Sequence, residues 1–179
     1  MLPLSLRFTG TRTLHHLPRR LARDASQLAA LPPHARIQST GTVTERKSTF
    51  QGHAVKVRTV EEATLALQHI LTLKKVNKAS HNILAWRLAG PPASLSGAGN
   101  KGLTLEGSDC NGEAPAGKNL LELLHKLGVQ DVLLVVTRWY GGVPMGPARF
   151  QVINAVGKQA LELGGFLQEQ GKKGKGGKR

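Results

Sequence analysis

One short apolar run constrains the fold of this chain more than any other feature. Val132–Val136 contains five consecutive apolar and mostly β-branched residues. A run this short and this apolar is typical of a strand that is buried on both faces. Arg138, Trp139 and Tyr140 follow it, and two glycines then interrupt the strand before the next helix. We therefore predict a central strand that ends at a glycine-rich loop and a helix N-terminus, a favourable place for a binding site.

The residue patterns elsewhere predict alternating strands and helices, in the order β-β-α-β-(β)-α-β-α, in which the bracketed element is a short edge strand at Gly102–Glu106. Period-2 or continuous apolar patterns indicate strands at Thr42–Arg46, Phe50–Val57 and His81–Leu88. A helix is predicted to begin at Thr59, which has capping-box spacing to Glu62. This pattern predicts an α/β fold, a two-layer sandwich with a mixed sheet and the helices on one face.

Charge and composition divide the chain into three parts. Residues 1–40 carry six arginines and one aspartate among serine, threonine, leucine and alanine. This composition is typical of a mitochondrial transit peptide, and the alternative is a basic extension of a cytoplasmic protein. Residues 41–165 form the predicted domain, and residues 166–179 are a low-complexity basic tail predicted to be disordered. The formal net charge of +14 favours nucleic acid or an acidic partner.

The residues present argue against several classes of chemistry. Cys110 is the only cysteine, so there is no internal disulfide. His53, His81 and the Asp109/Glu113 turn match no closed metal site, so no metal or other cofactor is predicted. No nucleophile, base and orienting group can be named together, so the chain is predicted not to be an enzyme and to have no small-molecule substrate. The apolar runs are shorter than the ~20 residues of a membrane span, and no membrane partner is predicted.

A cationic surface lined by aromatic residues is the more plausible site. It suits phosphates and stacked bases, and it suits an acidic protein equally well. Arg149 falls in the first turn of the last helix, an unfavourable place for a cation, and a binding role would explain it. In the alternative interpretation, the aromatic residues cap the core and the glycines only turn the chain. The predicted binding residues are Lys78, His81, Arg87, Arg138, Trp139, Tyr140, Gly141, Gly142 and Arg149.

Four sequence blocks carry a family resemblance. They are S-T-F-Q-G-H-A (48–54), K-A-S-H-N-I-L-A-W-R (78–87), D-C-N-G-E-A-P-A-G (109–117) and V-V-T-R-W-Y-G-G-V-P-M-G-P-A-R-F (135–150). In this order they resemble the signature blocks of the IMPACT N-terminal domain family, in its eukaryotic form. Asp109 and Glu113 lie in the motif turn of the third block. The chain departs from the family at Asn111, where an acid is usual.

The resemblance implies both a fold and a role. The implied fold is like domain two of a small-subunit ribosomal protein and domain four of elongation factor G. The best-studied eukaryotic members restrain the amino-acid-starvation kinase of translation initiation by competing for its activator protein, and are reported to bind actin. We therefore predict a non-enzymatic, translation-linked regulatory or binding module whose partner is a translation-related protein or ribosome/RNA. The alternative is a mitochondrial RNA- or ribosome-binding protein that uses the same face.

Overall fold

The computed structural model describes residues 28–90 and 104–167. These residues form six strands and three α-helices. The strands are β1 (Ile37–Ser39), β2 (Val43–Glu45), β3 (Ser48–Lys56), β4 (His81–Leu88), β5 (Leu105–Asp109) and β6 (Val132–Trp139). The helices are α1 (Val60–Thr72), α2 (Ala116–Lys126) and α3 (Ala148–Leu163), and a 3-10 turn, Val76–Lys78, precedes β4.

Strand β6 lies at the centre of one sheet with the order β1-β3-β6-β4-β5, and β2 also pairs with β3. It pairs with β3 on one side and with β4 on the other. This register places Phe50, Arg138 and His81 in one row across the sheet. The row lies at the end of β6 where the predicted site begins.

Helices cover both faces of the sheet. Val132, Leu134 and Val136 pack against α2 and α3 on one face. Leu133 and Val135 alternate with them and pack against α1 on the other face. All five side chains are fully buried, so the prediction of a central strand with two covered faces is confirmed.

The α/β class is confirmed, but two details of the predicted arrangement are wrong. All neighbouring strands in the described residues are antiparallel, so the sheet there is not mixed. The connections through α1 and α2 do join strands that run in the same direction, but a third strand lies between the two in each case. The helices are also not confined to one face, because a strand buried on both sides needs a layer on each.

The folded domain begins earlier than the predicted boundary at residue 40. Strand β1 pairs with β3 through Ile37 and Val55 and through Ser39 and His53, and Ala35 is already buried. The sequence does not indicate this start, because a strand of three residues is too short to show a periodic pattern. Residues 1–27 of the predicted targeting segment, and residues 168–179 of the predicted tail, lie outside the described residues.

Candidate functional site

A buried carboxylate, Glu113, organises the end of the sheet at which the predicted site begins. The side chain of Glu113 is 7% exposed and contacts three other side chains. Its Oε1 accepts a short hydrogen bond from Nη1 of Arg138 and lies 3.2 Å from Nε2 of His81. Its Oε2 accepts a hydrogen bond from Nε of Arg149 at 2.7 Å. We refer to these four residues as the Glu113 cluster.

Each member of the Glu113 cluster comes from a different part of the fold. Arg138 lies near the end of β6, and His81, its register partner, begins β4. Arg149 lies in the first turn of α3, and Glu113 lies in the turn between β5 and α2. The cluster therefore joins the central strands to both helices of one face, which explains the cation at the N-terminus of α3.

Arg138 is enclosed rather than displayed on a surface. Its residue exposure is 3%, and its guanidinium carbon lies 5.5 Å from the ring centroid of Phe50 and 5.3 Å from that of Tyr140. Its Nη2 donates to Oγ of Ser48 at 3.2 Å. With the bond to Glu113, both terminal nitrogens of the guanidinium have a hydrogen-bond partner, whereas its Nε has none among the described residues.

Hydrogen bonds from the motif turn hold the start of β4. Oδ1 of Asp109 accepts from the backbone N–H of Asn111 at 2.7 Å. Oδ1 of Asn111 accepts in turn from the backbone N–H of Asn82 at 2.7 Å, and its carbonyl lies 2.9 Å from Nδ1 of His81. Asn111 also has a positive φ of 42°, which asparagine tolerates better than most residues. The departure from an acid at this position thus keeps an oxygen acceptor for β4.

A groove of about 580 Å³ opens at the same end of the sheet, on the face that carries α1. Its lysines are exposed, and no carboxylate of the described residues lies within 4.0 Å of their ammonium groups. We refer to it as the lysine groove. The residues that line it are Thr42, Thr49, Lys74, Lys75, Lys78 and Trp139.

The predicted single face is in fact two surfaces. Strand β6 continues to Trp139, so Arg138 and Trp139 point to opposite faces of the sheet. Arg138 joins the Glu113 cluster, whereas Trp139 lines the lysine groove and donates its indole N–H to the carbonyl of Lys75 at 3.1 Å. Tyr140 follows the strand and is 45% exposed, with its backbone N–H bonded to Oγ of Ser80 at 3.0 Å.

The structure places Arg87 away from both surfaces, so it does not share a face with the other predicted binding residues. Arg87 pairs in register with Val132, at the opposite end of β6 from Arg138. Its Nη1 donates to the carbonyls of Leu124 and Val129 at 3.3 and 2.9 Å. Six residues along a strand separate it from His81, a distance of roughly 20 Å. Arg87 therefore satisfies carbonyls at the C-terminal end of α2.

The backbone explains why glycine occurs at both Gly141 and Gly142 of the predicted site. A Cβ on Gly141 would overlap the carbonyl of Lys47, because the β2–β3 hairpin packs directly against this loop. Gly142 has a φ of 83°, a left-handed conformation that favours glycine. For these two residues the structure supports the interpretation that they turn the chain.

The set of metal ligands considered from the sequence is not assembled. His53 shares the sheet face of Val55, opposite the Glu113 cluster, and its Nδ1 lies 2.8 Å from Oγ of Ser39. Across residues 28–90 and 104–167, no group of three or more histidine, cysteine, aspartate or glutamate side chains is arranged to hold a metal ion. In the same ranges, no helix combines the length and the apolar character needed to cross a bilayer.

Four residues of the lysine groove were not assigned to the site from the sequence: Thr42, Thr49, Lys74 and Lys75. The lysines had a sequence signal, because Lys74, Lys75 and Lys78 fall within the six residues that follow α1. Such a run also suits the negative end of a helix dipole, so it does not by itself indicate a site. The threonines had no signal, because the pairing of β2 with β3 brings them to the groove.

The fold and the two surfaces define an α/β domain whose sheet is covered on both faces and which carries an open basic groove. The sequence model of one protein family, the Impact N-terminal domain, matches residues 46–161 of this chain. The chain therefore belongs to the Impact N-terminal domain family.

Relatives that carry the family's name agree with this membership. The chain is 38% identical to the Protein IMPACT homolog of Schizosaccharomyces pombe over 121 residues, which are 68% of this chain and 40% of that protein. It is 35% identical to Protein IMPACT of Oryctolagus cuniculus over 142 residues, which are 79% of this chain and 41% of that protein. The chain thus spans about two fifths of the length of these relatives.

A crystal structure described as that of a hypothetical protein aligns with a TM-score of 0.57 and 26% identity, over 70% of this chain and 57% of that one. This likeness supports the fold. The structure of the two-domain translational regulator Yih1 aligns with a TM-score of 0.48 and 30% identity, over 82% of this chain and 54% of that one.

Proposed function

We propose that this chain is a non-enzymatic, translation-linked binding module that holds its partner in the lysine groove. Family membership supports the link to translation, because the resemblance to this family implies a translation-linked role. The proposed partner is a translation-related protein or ribosome/RNA, and neither a cofactor nor a small-molecule substrate is part of the proposal.

The observation that carries the proposal is the contrast between satisfied and unsatisfied cations. Arg87, Arg138 and Arg149 each contact a carboxylate within the domain. The three groove lysines have no such contact among the described residues, and they surround a concave surface with an indole wall. A negatively charged partner would therefore gain Coulomb attraction without displacing an internal ion pair.

The Glu113 cluster supports a non-enzymatic role. A general base must be free to accept a proton from a substrate. Both oxygens of Glu113 are held by guanidinium groups, and the carboxylate is buried. The cluster is therefore better suited to fixing the fold than to transferring protons.

Removing the groove lysines is expected to release the chain from translation components. Tagged full-length chain should migrate with ribosomal or translation-factor fractions in a sucrose gradient of cell extract. The variant Lys74→Ala/Lys75→Ala/Lys78→Ala should move to the free fraction, with binding reduced at least about tenfold because three charge contacts are lost. The matched control, Lys118→Ala/Lys126→Ala/Lys158→Ala, removes the same charge from α2 and α3 on the opposite face.

Two results would count against this proposal in different ways. Wild-type chain that remains in the free fraction at low salt contradicts the link to translation. A groove variant that migrates like the control variant shows that the partner binds elsewhere. Both variants should keep the wild-type melting temperature, because the substituted lysines are exposed.

We also propose that the N-terminal segment directs the chain to mitochondria. The support is compositional: six arginines and a single aspartate occur in residues 1–40. A C-terminally tagged full-length chain is expected in mitochondria, with a mature N-terminus before Ile37, since β1 is hydrogen-bonded into the sheet. Fluorescence microscopy and N-terminal sequencing test this, and a cytosolic chain or a mature N-terminus at Met1 contradicts it.

A further inference from the structure

We infer that the occupant of the lysine groove is single-stranded RNA, with backbone phosphates on Lys74, Lys75 and Lys78 and a base against Trp139. This inference deepens the proposed function, on which it rests, by naming the chemical class of the partner. It follows from the charge of the groove, the composition of the rest of the chain and the aromatic wall.

The positive charge of the groove is not neutralised by an acidic side chain in its lining. Two exposed lysines elsewhere have acidic neighbours: Nζ of Lys126 lies 4.0 Å from Glu122, and Nζ of Lys158 lies 3.7 Å from Glu162. Lys47, Lys56 and Lys118 are exposed without such a neighbour among the described residues, but none of them lines the groove. The lining of the groove instead contains three lysines and no acid. A helix dipole explains a lysine just beyond α1, but it does not explain why three of them surround a concave surface.

The remaining parts of this chain are poor occupants for the groove. Residues 1–27 carry five arginines and one aspartate, and residues 91–103 carry a lysine and no acid. Residues 168–179 carry five lysines and arginines and one glutamate. A second copy of the chain has the same net charge of +14 and would be repelled. Charge complementarity therefore indicates an acidic molecule of another kind.

The chemistry of the wall favours RNA over an acidic protein. Single-stranded nucleic acid is bound by basic grooves that also present aromatic rings, on which bases stack. Trp139 provides such a ring, and its bond to the carbonyl of Lys75 fixes the indole beside the lysines. Carboxylates, by contrast, are best recognised by arginine forks, and Arg138 and Arg149 are already engaged with Glu113.

The surroundings of the groove extend this surface. The backbone of Lys47 lies against Gly141, so the tip of the β2–β3 hairpin is beside the strand end that carries Trp139 and Tyr140. Arg46 and Lys47 are both exposed at that tip, in left-handed turn conformations. A volume of about 580 Å³ lies in the ordinary range of ligand sites and suits a nucleotide unit rather than a folded domain.

Trp139 also provides a spectroscopic signal for binding. The chain has two tryptophans, and Trp86 is 1% exposed. Trp139 is partly exposed and lines the groove. A base that stacks in the groove should therefore quench the fluorescence of Trp139 while leaving that of Trp86 unchanged.

The test measures binding of the full-length chain to a labelled 12-nucleotide oligouridylate by fluorescence anisotropy at several salt concentrations. Lys74→Ala/Lys75→Ala/Lys78→Ala should weaken binding at least about tenfold and lower the slope of log affinity against log salt by about two. Trp139→Leu should weaken binding by about tenfold and remove the quenching. The control Lys118→Ala/Lys126→Ala/Lys158→Ala keeps both basic tails and should retain nearly wild-type affinity and slope.

Three outcomes would overturn the inference. The first is equal loss of affinity in the groove variant and the control variant, which would mean that net charge alone attracts RNA. The second is binding without quenching of tryptophan fluorescence in the wild type. The third is competition by a 12-residue oligoglutamate as effective as that by unlabelled oligouridylate, which would assign the groove to an acidic protein. Any of these can occur while the chain still migrates with translation components, so the proposed function would survive.

Discussion

Replacing Glu113 with alanine is expected to destabilise the domain by about 3–5 kcal/mol, because it leaves a buried cation without its partner. Arg138 is 3% exposed, and without Glu113 its guanidinium keeps only Ser48 and two aromatic rings. Arg149 is affected less, since its side chain is 26% exposed and water can replace the lost contact. The expected loss is a large part of the roughly 5–15 kcal/mol that stabilises a typical domain.

Urea denaturation of purified full-length protein measures this loss of unfolding free energy. Glu122→Ala is the matched control, because Glu122 is 67% exposed and pairs with Lys126 on the surface of α2. That control should cost less than about 1 kcal/mol. The double variant Glu113→Met/Arg138→Met should recover much of the loss, since removing both charges avoids the unpaired buried cation. Equal losses for Glu113→Ala and Glu122→Ala would show that the cluster does not hold the fold together.

The central strand could be predicted from local sequence, whereas the sheet faces on which its last side chains lie could not. The apolar run at Val132–Val136 identified the strand and its burial on both faces. The strand then continues through Thr137, Arg138 and Trp139, where the residue types no longer indicate its direction. The alternation that separates Arg138 from Trp139 follows only once the strand is known to extend to Trp139.

The partner of Arg138 could not be identified from the sequence for a different reason. Glu113 lies 25 residues earlier, and only the pairing of β4 with β5 and β6 brings the two side chains together. Similarly, Ala63, Leu67 and Ile70 recur at helical spacing in the sequence of α1, and all three are buried. Amphipathicity gives the buried side of a helix but not the face of the sheet that it covers.

The second large effect concerns His53, whose burial should make the stability of the domain depend on pH between about 6.5 and 4. Burial lowers the pKa of His53 from 6.5 to about 4, because the charged imidazolium would lose its hydration. Its Nδ1 lies 2.8 Å from Oγ of Ser39, and Nε2 has no partner among the described residues. Among the described residues, no carboxylate lies within 4.0 Å of the His53 ring to stabilise a positive charge.

The sign of the effect follows from which state binds the proton. Above pH 6.5 His53 is neutral in both states, so it causes no pH dependence. Below pH 6.5 the unfolded chain takes up a proton that the folded domain excludes until about pH 4, so stability falls as the pH falls through this window. Over the whole window the loss is roughly 3 kcal/mol.

Glu62 acts in a lower pH range and can be separated from His53. Partial burial acts to raise the pKa of Glu62, but hydrogen bonds from the Arg58 backbone and His34 outweigh it and lower the pKa below its usual 4.5. A carboxyl with a lowered pKa contributes stability above its unfolded value and loses it as the pH falls further. Between pH 6.5 and 5, therefore, the difference between wild type and a His53 variant isolates the histidine.

Urea denaturation at pH 7.5, 6.5, 5.5 and 4.5 is expected to show wild-type stability falling by about 1.4 kcal/mol per pH unit within the window, from His53 alone. His53→Leu replaces the imidazole with an apolar side chain of similar size, which cannot titrate, and should remove this slope, although it loses the contact with Ser39. The exposed His125→Gln, whose side chain is 47% exposed, is the control and should keep the wild-type slope. A His53→Leu slope equal to that of the wild type would mean that the imidazole is hydrated or paired in solution. NMR titration of the His53 ring checks the same point directly, since its resonances should not shift until the pH approaches 4.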